Sequence, residues 1–490
     1  MRLLTIITVF LMGIASAALA AEDALQLTLK ESIRMAVENN LDVRAELYNP
    51  AQFEADINRN RSIYDTIFNV ETKYSQSLNA GRNFGDISSF LLNSSLTQLF
   101  WTGATATIFF DNNSIKNDPA GSYGDYWQSS LGASVSQPLL KNMGRENTEI
   151  NITVSRLSKF ASIENFNTRL LNTVTQVRTE YYKLYSLREQ LEVKKVSLEL
   201  ARKILSDTRA RVDAGVLPAM EILNAEFGMT SREKDMIDAE KAVSDQMDVL
   251  HLILQIPGRV DIRTVDRPQR EQYLVSEDEA IKRALSRPDI KELKRNLEIS
   301  ELQTRVFNNR INPDLSLNAS AYLKGLDSTF SRDLEKIGSL DEPVWSVGLM
   351  FSYPIGNRAA ENDYRKSRLK SEQIAVRIRN LEEVAANDVK SAIRGITSGY
   401  KQIDVADRGR AFAEERLRAF IRKNEVGLAT TRDVLDVEND LATAKNNQIT
   451  ALVNYDNAIT RLWQVTGELL EREGVRMVEG DADKLYNNIH

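Results

Sequence analysis

In each half of this chain a long polar–apolar helical pattern is broken by a single glycine, followed six positions later by an acid. The first break reads A-G-V-L-P-A-M-E-I-L-N-A-E, from Ala214 to Glu226. The second reads V-G-L-A-T-T-R-D-V-L-D-V-E, from Val426 to Glu438. Glycine enters the left-handed backbone region without steric cost, so it is the residue that lets a helix stop and turn back tightly. After each break a new helical pattern resumes. The chain is therefore read as two tandem repeats, each built around a helical hairpin, and a repeat of this kind outranks any local motif as a guide to architecture.

The rest of each repeat has the same order of parts. Repeat one, residues 21–270, opens with L-T-L-K-E-S-I-R-M-A-V-E-N-N-L-D-V-R at Leu27. Repeat two, 271–470, opens with V-S-E-D-E-A-I-K-R-A-L-S-R-P-D-I-K-E-L at Val275. Thr28 and Ser276 are placed to cap these helices, since each hydroxyl can accept an orphan backbone N–H. Alternating segments come next. Phe68, Val70, Thr72 and Tyr74 alternate with Asn69, Glu71 and Lys73, and Leu315, Leu317, Ala319 and Ala321 alternate with polar neighbours. A period of two means strand. The strands, expected at about 66–140 and 313–355, return to helix at Pro138 and Pro354, because proline cannot donate to a ladder.

Helix then continues without punctuation. No Gly or Pro lies between Gly144 and Gly215, which allows roughly 100 Å of α-helix. Leu170, Val174, Val177, Tyr181, Leu184 and Leu191 recur at coiled-coil spacing. The matching stretch from Asn357 to Val426 lacks Pro but is thinned by Gly395 and Gly399. Return helices are expected at Met220 to Leu254 and Asp433 to Trp463, and a tail at 471–490. The short helices of each repeat, end to end, match the long one in length. The long helix can thus pair with two stacked short ones in a cylinder wall, whose wide apolar stripe calls for oligomerisation.

Composition narrows the setting. Hydrophobic content of 42% with 27% charged residues is that of a folded protein, and a formal charge of −6 argues against a nucleic-acid binder. Residues 1–20 read as a signal peptide, with Arg2, an apolar run from Leu3 to Leu11, and Ala18-Leu19-Ala20 before the cut. Cysteine is absent, so neither a disulfide framework nor a lipid-bearing Cys is available. His251 and His490 are the only histidines, and His251 sits in an apolar run. With no phosphate-binding loop and no metal-ligand cluster, no enzymatic activity, cofactor or metal is expected. An exported chain with isolated strand hairpins of about ten residues, flanked by Phe100, Trp101, Tyr126, Trp127, Trp345 and Tyr353, fits strands that cross an outer membrane. Such strands must close into a barrel, which one chain alone cannot do. The competing reading is a periplasmic coiled-coil scaffold or adhesin with a soluble sheet.

The second tip, V-G-L-A-T-T-R-D-V-L-D-V-E-N-D-L-A-T-A-K-N-N, and the strand exits S-Q-P-L-L-K-N-M-G-R and S-Y-P-I-G-N-R resemble the TolC-like outer-membrane factors of efflux and type I secretion. The resemblance covers nearly all of the mature chain. It implies a mixed α and β fold: a homotrimer whose outer-membrane β-barrel is continued by an antiparallel α-helical coiled-coil tunnel through the periplasm. It also implies contact with outer-membrane lipid, and docking to a periplasmic adaptor (membrane fusion) protein and an inner-membrane RND or ABC-type transporter, for export of small molecules or proteins. The tip turns at Gly215, Val216, Leu217 and Gly427, Leu428, Ala429 would meet the adaptor. The family's pore constriction falls on Asp433 and Asp436, with Glu221 at the matching place in the first tip. Three chains would gather six of these second-tip carboxylates around an axis and favour cations. The competing reading is simple helix-start chemistry, since acids favour helix N-termini. The family's locking Arg and Tyr are replaced here by Ala429 and Asn424, with Arg432 about one turn away.

One discrepancy separates the repeats. Ala36 to Pro138 exceeds the matching span Ala284 to Pro354 by 32 residues. The surplus coincides with Ser94 to Asp111, which reads as a hairpin around Thr102-Gly103. One added hairpin keeps the number of crossings even, with the Gly103 turn inside and loops near Gly81 and Asn117 outside. Six strands per chain and 18 per trimer would result, against the four and 12 that the family implies. The alternative is a hairpin that folds against the barrel without joining it.

Overall fold

The computed structural model describes residues 25–77, 86–118, 124–258, 260–475 and 480–489. The expected signal peptide and the loop at Gly81 lie outside the described residues. In chain order, β1 (Leu25–Leu27) precedes α1 (Leu29–Asn39) and α2 (Leu41–Arg61). Four strands come next: β2 (Ile67–Ser77), β3 (Asp86–Leu99), β4 (Thr105–Asp118) and β5 (Tyr126–Pro138). After the short α3 (Arg145–Thr148) come the long α4 (Ile150–Asp213), α5 (Met220–Leu254) and β6 (Ile262–Thr264). The second repeat supplies α6 (Glu277–Ala284), α7 (Pro288–Asn309), β7 (Asp314–Asp327), α8 (Phe330–Ser339), β8 (Pro343–Ser352), α9 (Arg358–Glu425) and α10 (Thr431–Thr466). The short α11 (Leu469–Arg472) and α12 (Gly480–Asn487) complete it. The chain divides into two compact units, each drawing on both repeats.

One unit, comprising residues up to Tyr48, Glu164–Lys291 and Asn380–Asp481, is helical apart from the parallel pair β1 and β6. The heptad-like seam on α4 is buried at every expected position from Leu170 to Leu191. Its counterpart on α9 is Ala385, Val389, Ala392, Ile396 and Ile403, also buried. Gly399 occupies that same stripe, and a Cβ there would lie 3.4 Å from the fully buried Tyr455. Despite Gly395 and Gly399, α9 runs unbroken for 68 residues. Two tyrosines fasten the segment between the repeats. The Tyr181 hydroxyl donates to the Leu27 carbonyl at 2.8 Å and accepts the Val265 and Asp266 amides. Tyr455 donates to the Glu271 carbonyl and accepts the Tyr273 amide. Burial pushes the Tyr181 hydroxyl up to about 12, so it stays a donor throughout the physiological range.

Caps follow the residues in part. Thr28 forms a full capping box with Glu31. Ser276 occupies the N-cap position of α6, but its side chain makes no capping bond. His251 donates from Nε2 to the Val260 carbonyl, 2.8 Å away, which gives it a structural tie.

The other unit, Asn49–Ile163, Glu292–Arg379 and Ala482 onward, holds one antiparallel sheet in the order β2-β3-β4-β5-β7-β8. The hairpin of the 32 surplus residues is therefore inside the sheet, as β3 and β4. Register sorts its faces. The row Phe68–Leu96–Ile108–Ala133–Ala321–Trp345 is wholly apolar across six strands. On the opposite face, Thr97–Thr107–Ser134–Ser320–Ser346 is a row of hydroxyls and Glu71–Asn93–Asp111–Ser130–Lys324 is polar throughout. The connections to α2, α3, α7 and α9, and the Gly103 turn, leave from one end of the strands, whereas the β7–β8 connection with α8 leaves from the other. At that turn Gly103 has φ +87°, and the Thr102 carbonyl accepts the Gly144 amide at 2.9 Å. Pro138 is the last residue of β5, and Pro354 lies just past β8.

Candidate channel entrance

Both helical tips end in the same backbone device. Gly215 and Gly427 have φ of +76° and +78°. The next amide reaches back five residues in each case, Val216 to the Arg211 carbonyl and Leu428 to the Lys423 carbonyl, both at 2.8 Å. That is the Schellman closure, in which a left-handed glycine satisfies the carbonyls a helix end would leave open. Leu217 shares the Arg211 carbonyl at 3.3 Å, and the Ala429 carbonyl accepts the Asn424 side-chain amide at 2.9 Å. Val216 and Leu428 are strongly exposed, as are their neighbours Met220 and Val426.

Beyond the glycines the two tips diverge. Thr430 and Asp433 make a capping box: the threonine hydroxyl accepts the Asp433 amide at 3.1 Å, and the carboxylate accepts the Thr430 amide at 2.8 Å. The same hydroxyl also donates to the carboxylate at 2.7 Å, and this bond with that of the Thr430 amide holds the Asp433 carboxyl below its usual value. The first tip has no side-chain cap. Glu221 is only half exposed there. One of its carboxylate oxygens is buried without a hydrogen-bond partner and the other lies 3.5 Å from the Asn224 amide.

Along α10 the packing decides which residues face outward. Val434, Leu435, Val437 and Glu438 are buried, with Glu438 held by Arg232 at 3.2 Å and by the Ser197 hydroxyl. Asp433, Asp436 and Asp440 form the exposed stripe of the same helix. Asp436 meets Arg432 at 4.0 Å with both side chains largely in solvent, a pair worth about 0–1 kcal/mol. Asp440 is paired with Arg416 at 2.8 Å; extending the three-to-four spacing from Asp436 would have singled it out.

Asn424, at the position of the family's Tyr, links the two hairpins of one chain. Arg211 donates to the Asn424 carbonyl at 3.0 Å and approaches its side-chain oxygen at 3.4 Å. Beneath this link Leu417, Val434 and Val437 pack with Leu200 and Ile204 of α4. Spacing alone gave no sign of the link, because its partners are 213 residues apart. Among the described residues no acidic or histidine cluster suited to a metal ion occurs.

Residues 32–254 and 280–468 match the family model described as outer membrane efflux protein. The chain is 23% identical over 371 residues to the outer membrane efflux protein BepC of Brucella suis, covering 73% of this chain and 76% of that protein. The outer-membrane channel OprN shares its fold, with a TM-score of 0.68 at 14% identity over 90% of both chains. The CmeC outer membrane channel of Campylobacter jejuni does so at 0.65 and 14%, over 94% of this chain and 89% of that one. The chain belongs to the outer membrane efflux protein family.

Proposed function

We propose that three copies join their sheets edge to edge into an 18-stranded outer-membrane barrel, and that the six helical tips form the periplasmic entrance of an export channel. The observation that carries this reading is the sheet itself. Among the described residues β2 and β8 are its edges, and both expose apolar side chains, among them Phe68, Val70, Trp345 and Phe351. An open edge of this length invites strand addition, and a spanning sheet in lipid must close. With six strands per chain, β8 of one copy runs antiparallel to β2 of the next, so the joint continues the existing pattern. Exposed Phe227, Leu252, Val405 and Phe412 on the helices likewise ask for a neighbouring copy.

The exposed, apolar Val216 and Leu428 at the glycine turns suit docking of a periplasmic adaptor, which would connect the channel to an inner-membrane pump. Behind them Asp436 is the carboxylate best placed to bias ions at the entrance. Asp433 divides its role between capping and charge. Because hydrogen bonds from Thr430 hold its carboxyl below the ordinary carboxylate value, its charge persists as pH falls through that range. Its capping contribution is fully present above the unfolded value and is lost only as pH falls through the lower folded one.

Planar-bilayer recordings of the reconstituted trimer test the entrance. Asp436→Asn is expected to reduce cation preference while leaving the melting of the helical signal unchanged, since the local field scales with the number of carboxylates. Asp433→Asn is expected to reduce selectivity and to lower thermal stability as well. Unaltered selectivity in both variants would return these acids to capping and solvation alone.

A further inference from the structure

The connection from β7 to β8 contains a helix, and that helix lies on the wrong side for a plug. α8 (Phe330–Ser339) folds back over β5 and β7 on the apolar face of the sheet. Asp333, fully buried, accepts the Ser129 amide at 3.3 Å and bonds its hydroxyl, which also takes the Asn112 side-chain amide. Lys336 donates to the Leu326 carbonyl at 2.6 Å. The Phe330 ring stands 5.1 Å from that of Trp127. At Gly325 any Cβ would overlap the Asp333 carbonyl oxygen, so this glycine leaves the space in which the helix sits.

The row beneath explains why a cover is needed. Thr72–Leu92–Asn112–Ser129–Gly325 belongs to the same face as the apolar rows, yet is polar at its centre. Asn112, Ser114 and Ser129 are at most 3% exposed. Facing lipid uncovered, such groups would lose their water without compensation. α8 supplies Asp333 to that row and turns other side chains away from it, notably Leu334, with Arg332 and Glu335 alongside. An amphipathic helix of this kind suits the boundary between acyl chains and headgroups.

We propose that α8 is an interfacial helix of the barrel's outer surface, seated in the external leaflet, where Leu334 contacts lipid acyl chains. The inference rests on the barrel reading above. The occupant is lipid because this face continues the apolar rows. A second copy is disfavoured because α8 covers β5 and β7, whereas the edges that would meet a neighbour are β2 and β8. In this position α8 would set how deeply the outer rim of the barrel sits in the membrane.

The chain has no cysteine, so single sites can be labelled with a nitroxide in the full-length protein reconstituted in phospholipid vesicles. Leu334→Cys reports on α8 and Ile108→Cys on the middle of the apolar face. Collision with oxygen, which concentrates in lipid, is compared with collision with a water-soluble nickel chelate. Oxygen is expected to dominate at both sites, with loss of nickel access at Leu334. Nickel dominance at Leu334 with oxygen dominance at Ile108 would overturn the interfacial helix and leave the barrel standing. Nickel dominance at Ile108 would overturn the barrel reading and the inference with it.

Discussion

Replacing Arg178 with Leu is expected to destabilise the helical unit by about 3–5 kcal/mol. Arg178 lies on α4, 6% exposed by side chain, and its guanidinium reaches three residues of α10 and Glu473 just past α11. It donates to Thr460 at 3.0 Å, to Asp456 at 3.2 Å and to Glu473, while its plane lies 5.0 Å from the Trp463 ring. Leucine would fill much of the volume yet leave two carboxylates without their cation, one of them 2% exposed.

Asp456 is the less critical partner. Burial pushes its carboxyl above the usual value despite the pull of Arg178 and of the Gln269 amide. A carboxyl raised on folding gives stability that is present below the unfolded value and is lost as pH rises through the folded one. Mild acid should therefore relieve the cost of Asp456, and the relief should be greater in the Arg178→Leu protein. Asp456→Asn should cost far less than Arg178→Leu and should remove that pH dependence. Thermal melts of the helical circular dichroism signal at neutral and mildly acidic pH check the order. An Arg178→Leu protein as stable as the parent would dismiss the network as a stabilising element.

Gly132→Val is expected to abolish barrel assembly. Gly132 is paired with Tyr322, and an added Cβ would overlap the Tyr322 Cβ and lie 2.7 Å from its Cα. The conflict is with backbone rather than a flexible tip, so the strands must part. Overpacking costs about 1–3 kcal/mol even where side chains can yield, and here it would recur in each copy. The open space over Gly132 also lets Tyr322 approach Phe109 from the far strand, ring centres 6.2 Å apart. The measurement is the fraction of protein running as heat-sensitive oligomer in mild detergent gels. Adding Tyr322→Gly should restore part of that fraction; a fully assembled Gly132→Val protein would contradict the register.

Much of the fold was legible in the residues because local rules and the fold agree. Glycine turns, the Thr28 cap, the long seams and the alternating strands each depend on neighbours within a turn or a pleat. The surplus hairpin was visible as a length difference, and the sheet order places it between β2 and β5. The features that sequence did not reveal depend on distant partners. α8 makes sense only against a polar row on strands some 200 residues away. The Arg211–Asn424 link and the Arg178 network join repeats through pairs more than 200 residues apart. Asp433 was ambiguous for a different reason: capping and pore lining both call for an acid at the start of a helix, and the structure shows the capping box.

The central claim is that one chain supplies a third of a closed barrel. Native mass spectrometry of the detergent-extracted complex tests it most directly. The account predicts a single species with three times the mass of the mature chain, surviving until the detergent is made denaturing. A monomer under the mildest conditions, or an assembly of any other number, would contradict the edge-to-edge joining of three six-stranded sheets.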